Sequence, residues 1–220
     1  MSKYSSLHLN FKCLVYRKIF FKTLQVDFPL AKQCFITFPL ISKQDCMQTA
    51  QVAQQLSEQH QELLIFLKSL TEEQLHQQKE GKWSVLQNLD HLLKSIKMVN
   101  PAVRKPSIVL RSAFGKPNRP ARSYEALVSR YQERLAGAEA DAPREFQAQA
   151  SEALNREVII AEYDKEVQRF LKFIHKVKES KLDRTLLPHP LLGKLLMREI
   201  LYFMHYHTDH HFIAMKKSAA

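Results

Sequence analysis

A chain of 220 residues is long enough for one domain with a full core, and its four glycines are too few for a Rossmann or P-loop protein, which excludes the commonest nucleotide-dependent enzymes. The net charge of +11 raises nucleic acid or an anionic small molecule as partner, but residues 1–46 hold seven Lys/Arg against two Asp, so the remainder is moderately basic. All three cysteines, Cys13, Cys34 and Cys46, lie in that same stretch. The rest of the chain therefore has no disulfide framework and no thiolate metal site, and any metal there is held by nitrogen and oxygen ligands.

Residues 1–46 also contain six of the thirteen phenylalanines and no glutamate. Lys18, Lys22 and Asp27 interrupt the one candidate export-signal run, and no stretch approaches the length of a membrane span. Two readings stand: a basic, aromatic N-terminal arm, or a start assigned too far upstream, with translation beginning at Met47. The change of composition and periodicity at that methionine favours the second, and 47–220 is the expected domain.

After residue 46, Leu, Gln, Glu, Lys and Ala dominate and apolar residues recur at three and four, which predicts an all-α bundle. The first helix is expected over Gln48–Leu70, with Val52, Leu56, Leu63, Leu64, Phe66, Leu67 and Leu70 on its buried side. Thr71 caps a short turn, and Gly81 breaks the chain. Ser84 followed by Gln87 is a capping box, so a second helix starts there and runs until Pro101 stops it, with Trp83 locking its start into the core. Its stripe is Val85, Leu89, Leu92, Ile96 and Val99. By periodicity His91 falls at the edge of that stripe, half-exposed, and Asp90 points further out.

Residues 101–122 carry four prolines and six basic residues, Arg104, Lys105, Arg111, Lys116, Arg119 and Arg122, with no acidic one. As an insertion between helices this segment could overhang the bundle's mouth and capture an anion, with Arg111, Lys116 and Arg119 as the candidate substrate-binding residues; a solvated basic loop is the plainer account. Ser123 starts a further helix through YEALVSRYQERL, Gly137 to Pro143 is a loop, and a long helix is expected from Ser151 to near Ser180. His189 then sits between two prolines in the extended segment LLPHPLLG, before a last helix that starts near Leu196.

That last helix carries ILYFMHYHTDHHFIAM, residues 200–215, with four of the ten histidines. At about 100° per residue, Ile200, Phe203, Met204, His207, His211, Ala214 and Met215 share one face, His210 flanks it and His205 lies away from it. Two histidines at i and i+4 can aim at one metal ion, as in the zinc helices of metalloproteases, but Thr208 and Asp209 stand where the protease glutamate would be. Core histidines bonded to buried carbonyls, or a His-rich surface helix, fit the spacing equally well.

Taken together, GKWSVLQNLDHLLKS, HPLLGKLLMREILYF and YHTDHH, residues 81–95, 189–203 and 206–211, resemble the DinB family of DinB/YfiT-like metalloenzymes, from Met47 to about Lys217. The resemblance implies a four-helix bundle of the DinB/YfiT type, with a helical insertion between the second and third bundle helices. It implies a divalent metal ion, zinc, nickel or iron, held by His91, His207 and His211, which moves His91 from the surface to a pocket between helices. It further implies a bacterial, cytoplasmic enzyme of hydrolase or thiol S-transferase type, acting on a small anionic substrate or a low-molecular-weight thiol, and a homodimer through helix faces. A non-enzymatic, metal-binding or nucleic-acid-touching stress-related bundle is the alternative, although no helix-turn-helix spacing or aromatic-basic interleaving is present. Relatives often carry Thr where Leu196 stands, three residues before Glu199, so the start of the last helix is expected to lack a cap worth about 1 kcal/mol and to fray.

Overall fold

Apolar residues at helical spacing become four long helices: α1 (Thr49–Ser69), α3 (Val85–Arg104), α6 (Arg156–Ile174) and α8 (Met197–Ala219). The computed structural model describes residues 48–79, 81–137 and 143–220; the expectations for residues 1–46 lie outside these. α1 and α3 each pack chiefly against α6 and α8, so α1 stands diagonally across the bundle from α3, and α6 from α8. The core between them is filled by Leu63, Leu67, Leu86, Leu89, Leu92, Phe170 and Tyr202, all essentially inaccessible. Each such side chain stabilises the bundle by about 1.5–3 kcal/mol through burial. No helix among the described residues is long and apolar enough to cross a membrane.

Local signals set most of the boundaries. Thr71 caps the short α2 (Glu72–His76), and both halves of the Ser84/Gln87 box form at the head of α3, Gln87 N to Ser84 Oγ at 3.2 Å and Ser84 N to Gln87 Oε1 at 3.0 Å. Ser123 caps α5 (Tyr124–Ala136) in the same way. Pro101 does not end α3, which continues to Arg104: the ring and Lys97 both face solvent, so water can take the Lys97 carbonyl that loses its partner. The segment between α3 and α6 holds a helix that its prolines obscured, α4 (Ser107–Phe114), as well as α5.

The expected helix from Ser151 begins later. Residues Ser151–Ala153 form a 3-10 turn, Asn155 caps α6, and α6 ends at Ile174 before the short α7 (Glu179–Leu182). LLPHPLLG, expected to be simply extended, is most of an antiparallel hairpin, β1 (Leu186–His189) with β2 (Gly193–Leu196), paired Leu186 to Leu196 and His189 to Gly193. Its three-residue loop needs a left-handed residue to close, and Gly193 supplies it with φ +75°. His189 Nδ1 accepts from the Leu191 and Leu192 amides at 3.2 and 3.1 Å, which satisfies the loop from within.

β2 runs straight into α8. Leu196 has no side-chain oxygen with which to cap it, yet the helix starts cleanly at Met197. Glu199, fully buried, accepts from Leu196 N at 2.9 Å, from both guanidinium nitrogens of Arg119 at 2.6 and 2.8 Å, and from Arg122 N and Nη1 at 2.9 and 3.0 Å. The expected fraying is replaced by a carboxylate clamp.

Candidate metal centre

α8 turns His207 and His211 inward from successive turns, and α3 brings His91 from the facing corner; all three are buried. One nitrogen from each ring lies within 4.8 Å of the other two, and His91 Nε2 is 3.0 Å from His207 Nε2. Phe203 stacks on His207 with centroids 4.8 Å apart and planes 21° apart, while Trp83, half-buried, lies over His211 and leans on His91. Aromatic faces thus wall the cluster.

The opposite edges of two rings are fixed by oxygens. His91 Nδ1 donates to the Phe146 carbonyl at 2.7 Å, and His211 Nδ1 donates to Asn88 Oδ1 at 2.8 Å. The Asn88 amide is oriented in turn, because its Nδ2 donates to the Trp83 and Ser84 carbonyls at 3.2 and 2.9 Å. With the proton held at Nδ1, the Nε2 lone pairs of His91 and His211 face the centre. His207 Nδ1 is buried without a hydrogen-bond partner.

Burial, above all, pushes the pKa of His207 well below its ordinary value, with His211 and His91 adding repulsion. His211 is driven down the same way, by burial and then by His91. His91 is also lowered by burial, against the opposing pull of the Phe146 carbonyl and Asp90. Three neutral imidazoles that converge on one point fit a divalent cation, since protonation there is suppressed and three nitrogens leave coordination positions open.

Periodicity misplaced His91 and Asp90, which are both buried. Their cover comes from residues 146–149: Asp90 Oδ2 accepts from Gln149 N at 2.9 Å and Lys94 Nζ at 2.7 Å, Lys94 Nζ donates to Gln147 O at 2.6 Å, and Gln87 Nε2 donates to Gln149 O at 3.1 Å. Asp90 therefore clamps the strap that carries the Phe146 carbonyl to His91. Asn88 and Phe146 escaped the sequence reading. A polar residue on the apolar stripe one turn before His91 was the available signal for Asn88; no local signal exists for a carbonyl 55 residues away. His205 and His210 are half-buried and stand outside the cluster.

The three basic candidates do not gather here. Arg119 is engaged with Glu199, which precedes His207 by eight residues, about 12 Å along α8. Arg111 lines a separate cleft with Arg104, thirteen residues and about 20 Å along α3 from His91. Lys116 is exposed beyond α4. Arg119, expected to capture an anion, is bonded through both terminal nitrogens to the buried Glu199 carboxylate.

The model of the DinB superfamily matches residues 55–215. Among solved structures, the chain is similar to YfiT from Bacillus subtilis, described as "a probable metal-dependent hydrolase with an unusual four-helix bundle topology", with a TM-score of 0.53 and 18% identity over 80% of this chain and 90% of that one. No curated protein matches in sequence.

Proposed function

The chain belongs to the DinB superfamily, and on that premise we propose that it is a divalent-metal-dependent enzyme whose ion is held by His91, His207 and His211. The observation that carries this reading is the pair of locked tautomers: the Phe146 carbonyl and Asn88 Oδ1 hold protons on the outer nitrogens, leaving Nε2 of His91 and His211 as acceptors that face His207. Without an ion, His207 Nε2 can donate to the His91 lone pair at 3.0 Å; a divalent ion in place of that proton would take a nitrogen from all three rings at once.

A divalent ion held by His91, His207 and His211 would supply Lewis-acid chemistry, lowering the pKa of a water or thiol bound to it toward neutrality. The chain's own residues prepare for that. Asn88 and the Phe146 carbonyl keep the ligand nitrogens deprotonated and oriented, and burial keeps all three rings neutral. Trp83 and Phe203 exclude bulk water from the cluster's flanks, which strengthens electrostatic interactions inside. The reaction fits the hydrolase or thiol S-transferase type, on a small substrate. The description of YfiT as a metal-dependent hydrolase supports the first, and three-nitrogen ligation supports either.

The test is a panel of ester, amide and thiol-transfer substrates, assayed with the chain as purified, stripped with EDTA, and reloaded with zinc, nickel or iron. Activity lost on stripping and regained with one of these metals is expected. Turnover that survives full stripping would refute the proposal.

A further inference from the structure

A second concentration of chemistry lies at the other end of α3. Arg104, Arg111, Arg184, Lys176, Lys178 and Lys181 line one cleft of about 520 Å³, formed where the C-terminal ends of α3 and α6 meet α4 and α7. No acidic side chain lines it, and among the described residues none of the six belongs to an ion pair. Elsewhere Lys94, Lys97, Arg119, Arg122, Arg156, Arg169 and Arg198 all have carboxylate partners. Other exposed lysines and arginines among the described residues, Lys68 and Lys165 included, are also outside ion pairs; what sets this place apart is that six such cations line one cleft.

The fold itself sorts these charges. Glu179 and Asp183 sit among the cleft's basic residues in sequence, but Arg198 of α8 draws both away: its Nε and Nη2 meet Asp183 at 2.6 and 2.9 Å, and Nη2 also meets Glu179, which bonds Thr49 as well. Two of the cations left on the cleft side are held in place by backbone oxygens that do not neutralise them. Lys181 Nζ donates to the Val103 and Lys105 carbonyls at 2.9 and 3.0 Å, and Arg104 donates to the Arg169 carbonyl at 2.9 Å. Two hydroxyls, of Ser107 at the head of α4 and of Ser180, line the same space, and Phe173 with Val177 forms an apolar wall.

Six like charges around one cavity repel each other, and a multivalent anion between them removes that cost. Guanidinium forks match phosphate oxygens in pairs, with lysines as point charges beside them. The volume suits a small molecule, and the cations surround one cleft instead of tracking along a stripe, as a nucleic-acid backbone would require.

We propose that this cleft is a second ligand site, about 20 Å from the histidine cluster, that binds a small molecule carrying two or more linked phosphates. Such a ligand is either an inorganic polyphosphate chain or a nucleotide whose ring rests against Phe173.

Isothermal titration calorimetry decides this with the full chain, treated with EDTA so that no metal at the histidines anchors the anion. Sodium tripolyphosphate should bind once per chain, and Arg111→Glu with Arg184→Glu should weaken it about tenfold or more. Both side chains are exposed, so the fold should stand, as circular dichroism would check. The same charge change at Lys68→Glu with Lys165→Glu, exposed positions outside the cleft, should leave binding unaltered. ATP binding more tightly than tripolyphosphate identifies the nucleotide form, and equal affinity identifies the inorganic one. No binding of either, equal weakening by the control pair, or tighter cleft-dependent binding of a short DNA duplex would overturn the proposal.

Discussion

Asn88 has one oxygen and one amide, and the bundle uses both: the amide is tied to two carbonyls at the head of α3, so the oxygen must face His211. Removing it frees the ring to rotate or change tautomer. Asn88→Ala should weaken zinc binding by about 10–100-fold while retaining helical content, as equilibrium dialysis beside circular dichroism would measure; unchanged affinity would mean that packing alone orients His211. His189 shows the opposite use of a ring nitrogen. Its Nδ1 accepts two amides, and burial lowers its pKa from 6.5 to about 4. An unfolded chain takes up that proton near 6.5, so this residue's contribution to stability is complete above 6.5 and is lost as the pH falls toward about 4. The loss is about 3 kcal/mol. In urea unfolding, His189→Asn, which keeps an acceptor but cannot titrate, should flatten the pH dependence across that window.

At the scale of elements, Glu199 joins three segments: the start of α8, the end of β2 and the chain before α5. Burial raises its pKa, but Arg119 and the amides of Arg122 and Leu196 outweigh it and hold the carboxyl below its ordinary value. Glu199→Gln keeps the shape and removes the charge, and it should cost about 3 kcal/mol in urea unfolding because two partly buried guanidinium groups lose their counter-ion. A change below 1 kcal/mol would assign the clamp no more than a surface pair's worth. The cap that Leu196 lacks is worth about 1 kcal/mol, whereas burying its side chain fully contributes about 1.5–3 kcal/mol, so the leucine is no defect. Elements governed by neighbours in sequence were legible: the box at Ser84, the caps at Thr71 and Ser123, and the inward face of α8. Elements governed by distant partners were not. His91 looked half-exposed because its cover lies at residues 146–149, Arg119 looked free because its partner is 80 residues away, and the hairpin hid in a segment with two prolines and no alternation.

Across the whole molecule, α3 carries His91 and the His211 partner Asn88 in its first half and the basic cleft at its far end, so one helix separates two unlike environments. Diagonal placement of α1 and α3 leaves α8 packed beside α3, which is what lets residues 91, 207 and 211 meet although 116 positions separate His91 from His207. A metal ion at that meeting point is the central claim. Elemental analysis of the full chain, purified without an affinity His-tag or added metal, tests it beside the His207→Ala/His211→Ala double variant. About one divalent ion per chain is expected in the unaltered protein and none in the variant. A full complement in the variant, or none in the unaltered protein even after reloading with zinc, nickel and iron, would contradict it.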